Sequence, residues 1–372
     1  MEGEPPAQAP ALEDPVGFEA LGDDLVRTAF LRALFVTHGT LHVVCRRLKA
    51  LLRSPEFLQQ RVETGLAEHG LVFAGGYGLN DRMANCYMLK QRLRRHERHH
   101  LLQEWRRISP LSGPRDEACS AIVKDEDGQH EMWVMGGADD EHILATVEAY
   151  SPRTNTWRLC RPLSEGRRGA VAGVVGGRLV VAGGSAIGAD ALTSVEAYTP
   201  TGWTPLPPLP HAADSATACV LNGRLYVMGG HGCNKLQVLE MSEEHGFSWS
   251  VKADLPAYRY HAASAVVDGK LWVMGGVAYH AEDEDEDEGD RRTASVLVYD
   301  TASDTWATGM PLAHPMQNSC AAVHDGELWL KTYADMHVHR NGAWVESADR
   351  RAYVENADTA IEDTTCQSVL LG

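Results

Sequence analysis

The sequence predicts an all-β fold, six four-stranded blades of a β-propeller, with a short helical segment ahead of them. Three observations predict it. One string recurs: LVFAGG (71–76), MWVMGG (132–137), LVVAGG (179–184), LYVMGG (225–230) and LWVMGG (271–276), then a worn copy, LWLKT (328–332), without glycines. From the second copy to the fifth the spacing is 47, 46 and 46 residues. After each Gly pair comes a strand-like run, CYML (86–89), VEAY (147–150), VEAY (195–198), LQVLE (236–240) or VLVYD (296–300). A tryptophan then closes each unit: Trp105, Trp157, Trp203, Trp249, Trp306 and Trp344.

Each unit thus supplies four short strands, A to D. An apolar run such as SATACVL (215–221) or HAASAVV (261–267) is strand A, and the Gly pair ends strand B. Four strands in about 45–50 residues is the size of one propeller blade. The glycines let the chain leave strand B at φ values other residues avoid, and the aromatics fill the gaps between blades. Both are expected to be scaffold. None of the Gly pairs opens a helix or leads into a Lys-Ser/Thr phosphate loop.

The first unit lacks a strand A, because TGLAEHG (64–70) holds no apolar run. The end of the chain supplies one. TTCQSVLL (364–371) reads like the other A strands and is expected to pair beside residues 71–74, removing two open sheet edges.

Ahead of the repeats the pattern changes. Residues 1–16, rich in Pro, Ala and Glu, read as disordered. From 17 to 65 the period is helical, with Leu21, Leu25, Phe30, Leu34 and Phe35, then Leu41, Val44, Cys45, Leu48, Leu51 and Leu52. A segment this small needs a partner or a docking surface to be stable. The expected division is therefore a tail, a helical domain over 17–65 and a propeller over 66–372.

The repeats resemble the kelch family over roughly residues 66–372. LGDDLV (21–26) and VCRRLKALLRSPEF (44–57) resemble an F-box, and QQRVETGLAEHGLVF (59–73) resembles the joint of plant and algal F-box/kelch proteins. Two positions depart from that pattern: Gly22 stands for the usual proline and Leu48 for the usual tryptophan. The resemblance implies a six-bladed kelch propeller behind a small α-helical F-box. It also implies a non-catalytic substrate receptor of an SCF-type ubiquitin ligase. Leu21, Leu25, Val44, Cys45 and Leu48 would insert in a groove of the adaptor, although some of these must also form the core of the helices. The implied partners are adaptor, cullin and a target protein the sequence does not identify. No cofactor is implied. One alternative is a kelch scaffold without ubiquitin transfer, and a weaker one a kelch-type oxidase or epimerase. In MHVHR (336–340), His337 and His339 share a strand face, but two ligands without a third are a poor metal site.

Charge and composition narrow the class. Lys+Arg 34 against Asp+Glu 51 gives −17, which disfavours nucleic acid and anionic membranes as non-specific partners. Residues 1–18 lack the apolar run of a signal peptide, and Ala29–Val44 is broken by Arg32, His38 and His42. Eight cysteines without a C-x-x-C pair read as reduced thiols of a cytoplasmic or nuclear protein.

In a propeller the B–C and D–A loops share one face, and by resemblance that face binds the target. Just after the Gly pairs stand Tyr77, Ala138, Ser185, His231 and Val277. Twelve residues before the leading Leu of strand B stand Arg167, Ala213, Arg259 and Met316, with Arg115 as the counterpart in the second blade. His211, Tyr258, Tyr260 and Gln317 flank them. Arg and Tyr are frequent hot-spot residues, so this set is the expected contact surface. Two insertions interrupt the repeat. AEDEDEDEGD (281–290) lies in a B–C loop and is expected to be solvated, screening acidic partners and steering basic ones. LKQRLRRHERHHLLQEWRR (89–107) enlarges a C–D loop and reads as an exposed basic helix, or as a nuclear-import or acidic-partner patch.

Overall fold

The computed structural model describes Phe57 and residues 69–76, 83–93, 101–188, 191–279, 291–324, 326–332, 336–340, 342–346 and 365–370. The chain divides into two compact units, residues 1–68 with 370–372 and residues 69–369. Among residues 1–68 only Phe57 is described, helical and buried. The tail, the helical domain and the five adaptor-contact residues expected there lie outside the described residues.

The second unit is a six-bladed β-propeller of four-stranded sheets. Blade 2 runs Cys119–Lys124, His130–Met135, Val147–Ser151 and Thr156–Leu159; blade 3 runs Val171–Val175, Arg178–Ala182, Val195–Thr199 and Gly202–Pro205. Blade 4 runs Thr217–Leu221, Arg224–Met228, Leu236–Ser242 and Gly246–Lys252; blade 5 runs Ala263–Val267, Lys270–Met274, Val296–Asp300 and Thr305–Thr308. The worn sixth unit forms a blade as well, Cys320–His324, Glu327–Lys331, Met336–Arg340 and Ala343–Glu346. Blade 1 is assembled from both ends of the unit. Thr365–Leu370 lies beside His69–Ala74, which pairs with Cys86–Leu93, which pairs with Leu101–Ile108.

The described residues of the basic insert are strand, not helix. They lengthen the C–D hairpin of blade 1, with Lys90 opposite Glu104 and Leu93 opposite Leu101. The reason is topological: strands C and D are already antiparallel neighbours, so added residues continue the ladder and satisfy their own backbone groups.

The core is a ring of junctions. Leu179 and Val181 of blade 3 pack with Trp133, Met135 and Val147 of blade 2, and Leu225 and Val227 of blade 4 pack with Val180 and Val195 of blade 3. Blades 4 and 5, 5 and 6, and 6 and 1 share clusters in the same way, the last through Leu71, Phe73, Leu89, Trp329 and Val338. The strand D tryptophans tie the junctions on the outside. Trp157, Trp203, Trp249, Trp306 and Trp344 donate their indole N–H to carbonyls of Ser109, Arg161, Pro207, Ala253 and Met310, 2.7–3.2 Å away. Each of these carbonyls belongs to the chain leaving the preceding blade. The indole thus fills a gap with its rings and closes it with its polar edge.

Several thiols sit inside this core. Burial pushes Cys86 and Cys119 up to about 12 and Cys219 up to about 11. A thiol whose pKa is this high carries almost no nucleophilic thiolate at neutral pH. In native protein at pH 8 these three cysteines are therefore expected to resist iodoacetamide and to label fully in denaturant. Peptide mass spectrometry reads the difference; rapid native labelling of Cys119 would contradict the packing.

Candidate functional site

The B–C/D–A face is built by one device repeated around the ring. The second glycine of each pair donates its N–H to a D–A carbonyl of the next blade: Gly76 to Arg115, Gly137 to Arg167, Gly184 to Ala213, Gly230 to Arg259 and Gly276 to Met316, at 2.6–2.9 Å. Four of the five acceptors are the residues that the twelve-residue count singles out, and the fifth, Arg115, is their expected counterpart in the second blade. The first glycine must be glycine for a steric reason as well. At Gly229 (φ +69°) a Cβ would collide with the Arg259 carbonyl, so no side chain fits where one blade's strand B passes under the next blade's loop.

Arg115 and Arg167 then turn inward. Arg115 donates to the carbonyls of Gly136 and Thr146, both at 3.2 Å, and to Glu148 at 2.6 Å. Arg167 repeats this one blade on, with Gly183 (3.0 Å), Ser194 (3.2 Å) and Glu196 (3.1 Å). Ser112 and Ser164 complete these acids: the Ser112 N–H donates to Glu148 Oε2 and its hydroxyl to Oε1, beside Arg115, while the Ser164 N–H and hydroxyl both donate to Glu196 Oε2. Each arginine therefore staples two blades, by its carbonyl to the one before and by its side chain to its own. Blade 4 dispenses with the pair. Ala213 replaces the arginine, and Gln237 replaces the acid, bonding the loop through the His211 N–H (2.8 Å) and carbonyl (3.0 Å). Blade 5 keeps only half of it. Arg259 bonds Gly275 and Ser295, Leu297 stands in the acid's place, and burial lowers the guanidinium to about 10.

These facts correct the expectation of three solvent-facing arginines. Arg115 and Arg167 are 2% exposed and Arg259 is 4% exposed, because the oxygens that accept from their guanidinium groups, with a carboxylate among them for Arg115 and Arg167 only, lie inside the blades. Ser185 is also buried, its backbone paired with Arg168. The residues left at the surface are His211 and His231, exposed, and Tyr258, Tyr260 and Gln317, half-buried. Tyr77 lies outside the described residues.

The loops do come together. Asp116 pairs with Ala138, Arg168 with Ser185, the His231 N–H with the Asp214 carbonyl (2.8 Å), and Tyr260 with Val277, so the B–C loops of blades 2 to 5 each rest on a D–A loop. Inside them runs a ring that no residue type announces. Glu117, Gly169, Ser215, His261 and Asn318 all have φ between +49° and +60°. Each of the last four donates its N–H to the carbonyl of the one before, at 2.9–3.0 Å. The ring borders a cavity of about 140 Å³ lined by Glu117, Ser215, His261 and Asn318. Burial holds His261 below its usual range, against the opposing pull of Asp214. Sequence reading missed it because glycine, the residue that signals left-handed backbone, stands at one of the five positions only.

Sequence reading also missed Tyr279 and Arg291, which border the acidic insert. Tyr279 packs on Tyr258 with ring centres 5.1 Å apart, and the Arg291 guanidinium lies 5.5 Å over the Tyr279 ring. The histidines weighed as metal ligands both lie on strand Met336–Arg340 of blade 6. His337 is buried, and His339 sits 5.1 Å from both Trp272 and Trp344. Among the described residues no group of three or more His, Cys, Asp or Glu converges as a metal site would require, and no helix is long and apolar enough to cross a membrane.

Comparison with known proteins agrees with the architecture. The model of the kelch motif matches residues 128–164 and 258–313. An F-box/kelch-repeat protein of Arabidopsis thaliana is 27% identical over 219 residues, 48% of this chain and 52% of that protein. A second protein of that description from the same plant is 25% identical over 193 residues, 40% of this chain and 50% of its own. The chain thus spans about half the length of these curated relatives. Among solved structures, that of YjhT superposes with a TM-score of 0.57 at 15% identity, covering 74% of this chain and 97% of YjhT, a likeness of fold.

Proposed function

The chain is a six-bladed β-propeller carrying kelch motifs, and from that premise we propose that it is the substrate-recognition subunit of an SCF-type ubiquitin ligase. One observation carries the proposal: an F-box-like pair of words, LGDDLV and VCRRLKALLRSPEF, stands directly ahead of a kelch propeller, the combination named in the two Arabidopsis relatives. The helical segment binds the adaptor through Leu21, Leu25, Val44, Cys45 and Leu48, and the B–C/D–A face holds the target near the ligase. The chain itself performs no chemistry in this reading.

Co-precipitation tests it. Wild-type protein is expected to capture adaptor and cullin, and Leu21→Ala with Leu25→Ala is expected to abolish capture while the thermal transition of the propeller stays in place. If wild-type protein captures neither, the ligase reading gives way to a kelch scaffold that binds its partner without ubiquitin transfer.

A further inference from the structure

The five D–A positions that anchor the glycines are flanked by different residues in each blade: Pro114 and Asp116, Gly166 and Arg168, Ala212 and Asp214, Tyr258 and Tyr260, Pro315 and Gln317. The scaffold therefore accepts almost anything there, and only blade 5 carries aromatics. Strand alternation turns Arg259 inward and sets both tyrosines on the opposite side. In blade 5 the loop contact also grows from a single bridge into a two-stranded sheet, Tyr258–Tyr260 against Val277–Tyr279.

The result is an aromatic platform on the target face. Tyr279 lies 5.1 Å from Tyr258 and 6.2 Å from Tyr260, and Tyr260 lies 5.1 Å from His231 and from His261. The Gly232 N–H, donating to the Tyr279 hydroxyl at 2.8 Å, fixes that ring across the blade 4–blade 5 boundary. Rings held this way present π faces and edges at no further cost in side-chain order.

We propose that this platform binds an arginine-bearing basic segment of a partner protein, a deepening that rests on the B–C/D–A face being the target face. The occupant's chemistry is already displayed, because Arg291 places its guanidinium 5.5 Å over the Tyr279 ring. Charge points the same way. The chain carries −17, Asp214 lies in the same loop layer, and the stretch joining Tyr279 to Arg291 holds eight acids in the ten residues 281–290. Cationic segments are attracted over a Debye length of about 8–10 Å and then captured on the rings, whereas acidic segments and nucleic acid are repelled.

Fluorescence anisotropy of the full chain with a fluorescein-labelled arginine–glycine repeat peptide tests this. The peptide is expected to bind, to weaken as salt rises, and to lose about tenfold or more when citrulline, the neutral isostere, replaces arginine. Tyr258→Leu with Tyr260→Leu keeps apolar bulk but removes the rings, and should weaken binding about tenfold. Arg291→Gln vacates the Tyr279 face and should tighten binding a few-fold, a gain that misfolding cannot imitate. Equal affinity for the citrulline peptide, equal affinity across the three proteins, or no binding of the peptide overturns the proposal. Preferential binding of single-stranded RNA would overturn it too. The assay needs neither adaptor nor cullin, so its failure is distinct from failure of the ligase reading.

Discussion

Replacing Arg167 by alanine is expected to destabilise the propeller by about 3–5 kcal/mol. The side chain and its partner Glu196 are 2% and 5% exposed, and they meet at 3.1 Å. Without the guanidinium, the carboxylate keeps only the Ser164 N–H and hydroxyl, and the Gly183 and Ser194 carbonyls lose a donor. An uncompensated buried charge costs more than the pair contributes. Blade 4 shows how the chain does without it: Ala213 goes with the neutral Gln237, so arginine and acid are absent together. Accordingly Arg167→Met with Glu196→Leu should recover most of the loss. Arg259→Met should cost less than Arg167→Ala, about 1–3 kcal/mol, because Leu297 leaves no carboxylate behind and only carbonyl and hydroxyl partners are stranded. Urea unfolding of the three variants and the wild type reads the order. If Arg167→Ala and Arg259→Met cost the same, the acid is not what makes the arginine indispensable.

Removing residues 364–372 is expected to lower the thermal midpoint by roughly 10 °C or more, or to yield aggregated, protease-sensitive protein. The deletion takes away Thr365–Leu370, the strand beside His69–Ala74. Blade 1 would be left with three strands and an open edge facing the channel, next to the junction formed by Leu71, Phe73, Leu89, Trp329 and Val338. A ring of blades in which each core is shared with a neighbour has no independent end, so the damage should spread beyond blade 1. Limited proteolysis and differential scanning calorimetry decide it. A truncated protein that melts like the full chain would show that this strand does not hold the ring closed.

The repeat by itself determined the number of blades, the place of each strand and the register of the loops. A diglycine, a strand-like run and a tryptophan recur at fixed spacing, and the sixth unit kept its strands although Lys331 and Thr332 stand where other units end strand B. The twelve-residue count even located four of the five D–A residues whose carbonyls meet the glycines, and the blade-to-blade correspondence located the fifth, Arg115. What those residues do was decided by tertiary structure. Arginine in a loop reads as a contact residue, but Arg115 is paired with Glu148, 33 residues away, and Arg167 with Glu196, 29 residues away. Whether a side chain dives or projects depends on which partners the fold brings within hydrogen-bonding distance, and nothing in the local pattern reports that. The same holds for the left-handed ring of Glu117, Gly169, Ser215, His261 and Asn318, imposed by closure around the channel and not by residue preference. It holds again for the basic insert, which a helical reading of its residues misplaced and an existing hairpin drew into its ladder. Periodicity is a local property and survives in the sequence; burial of a charge is a meeting of distant segments, and it exists only once they have met.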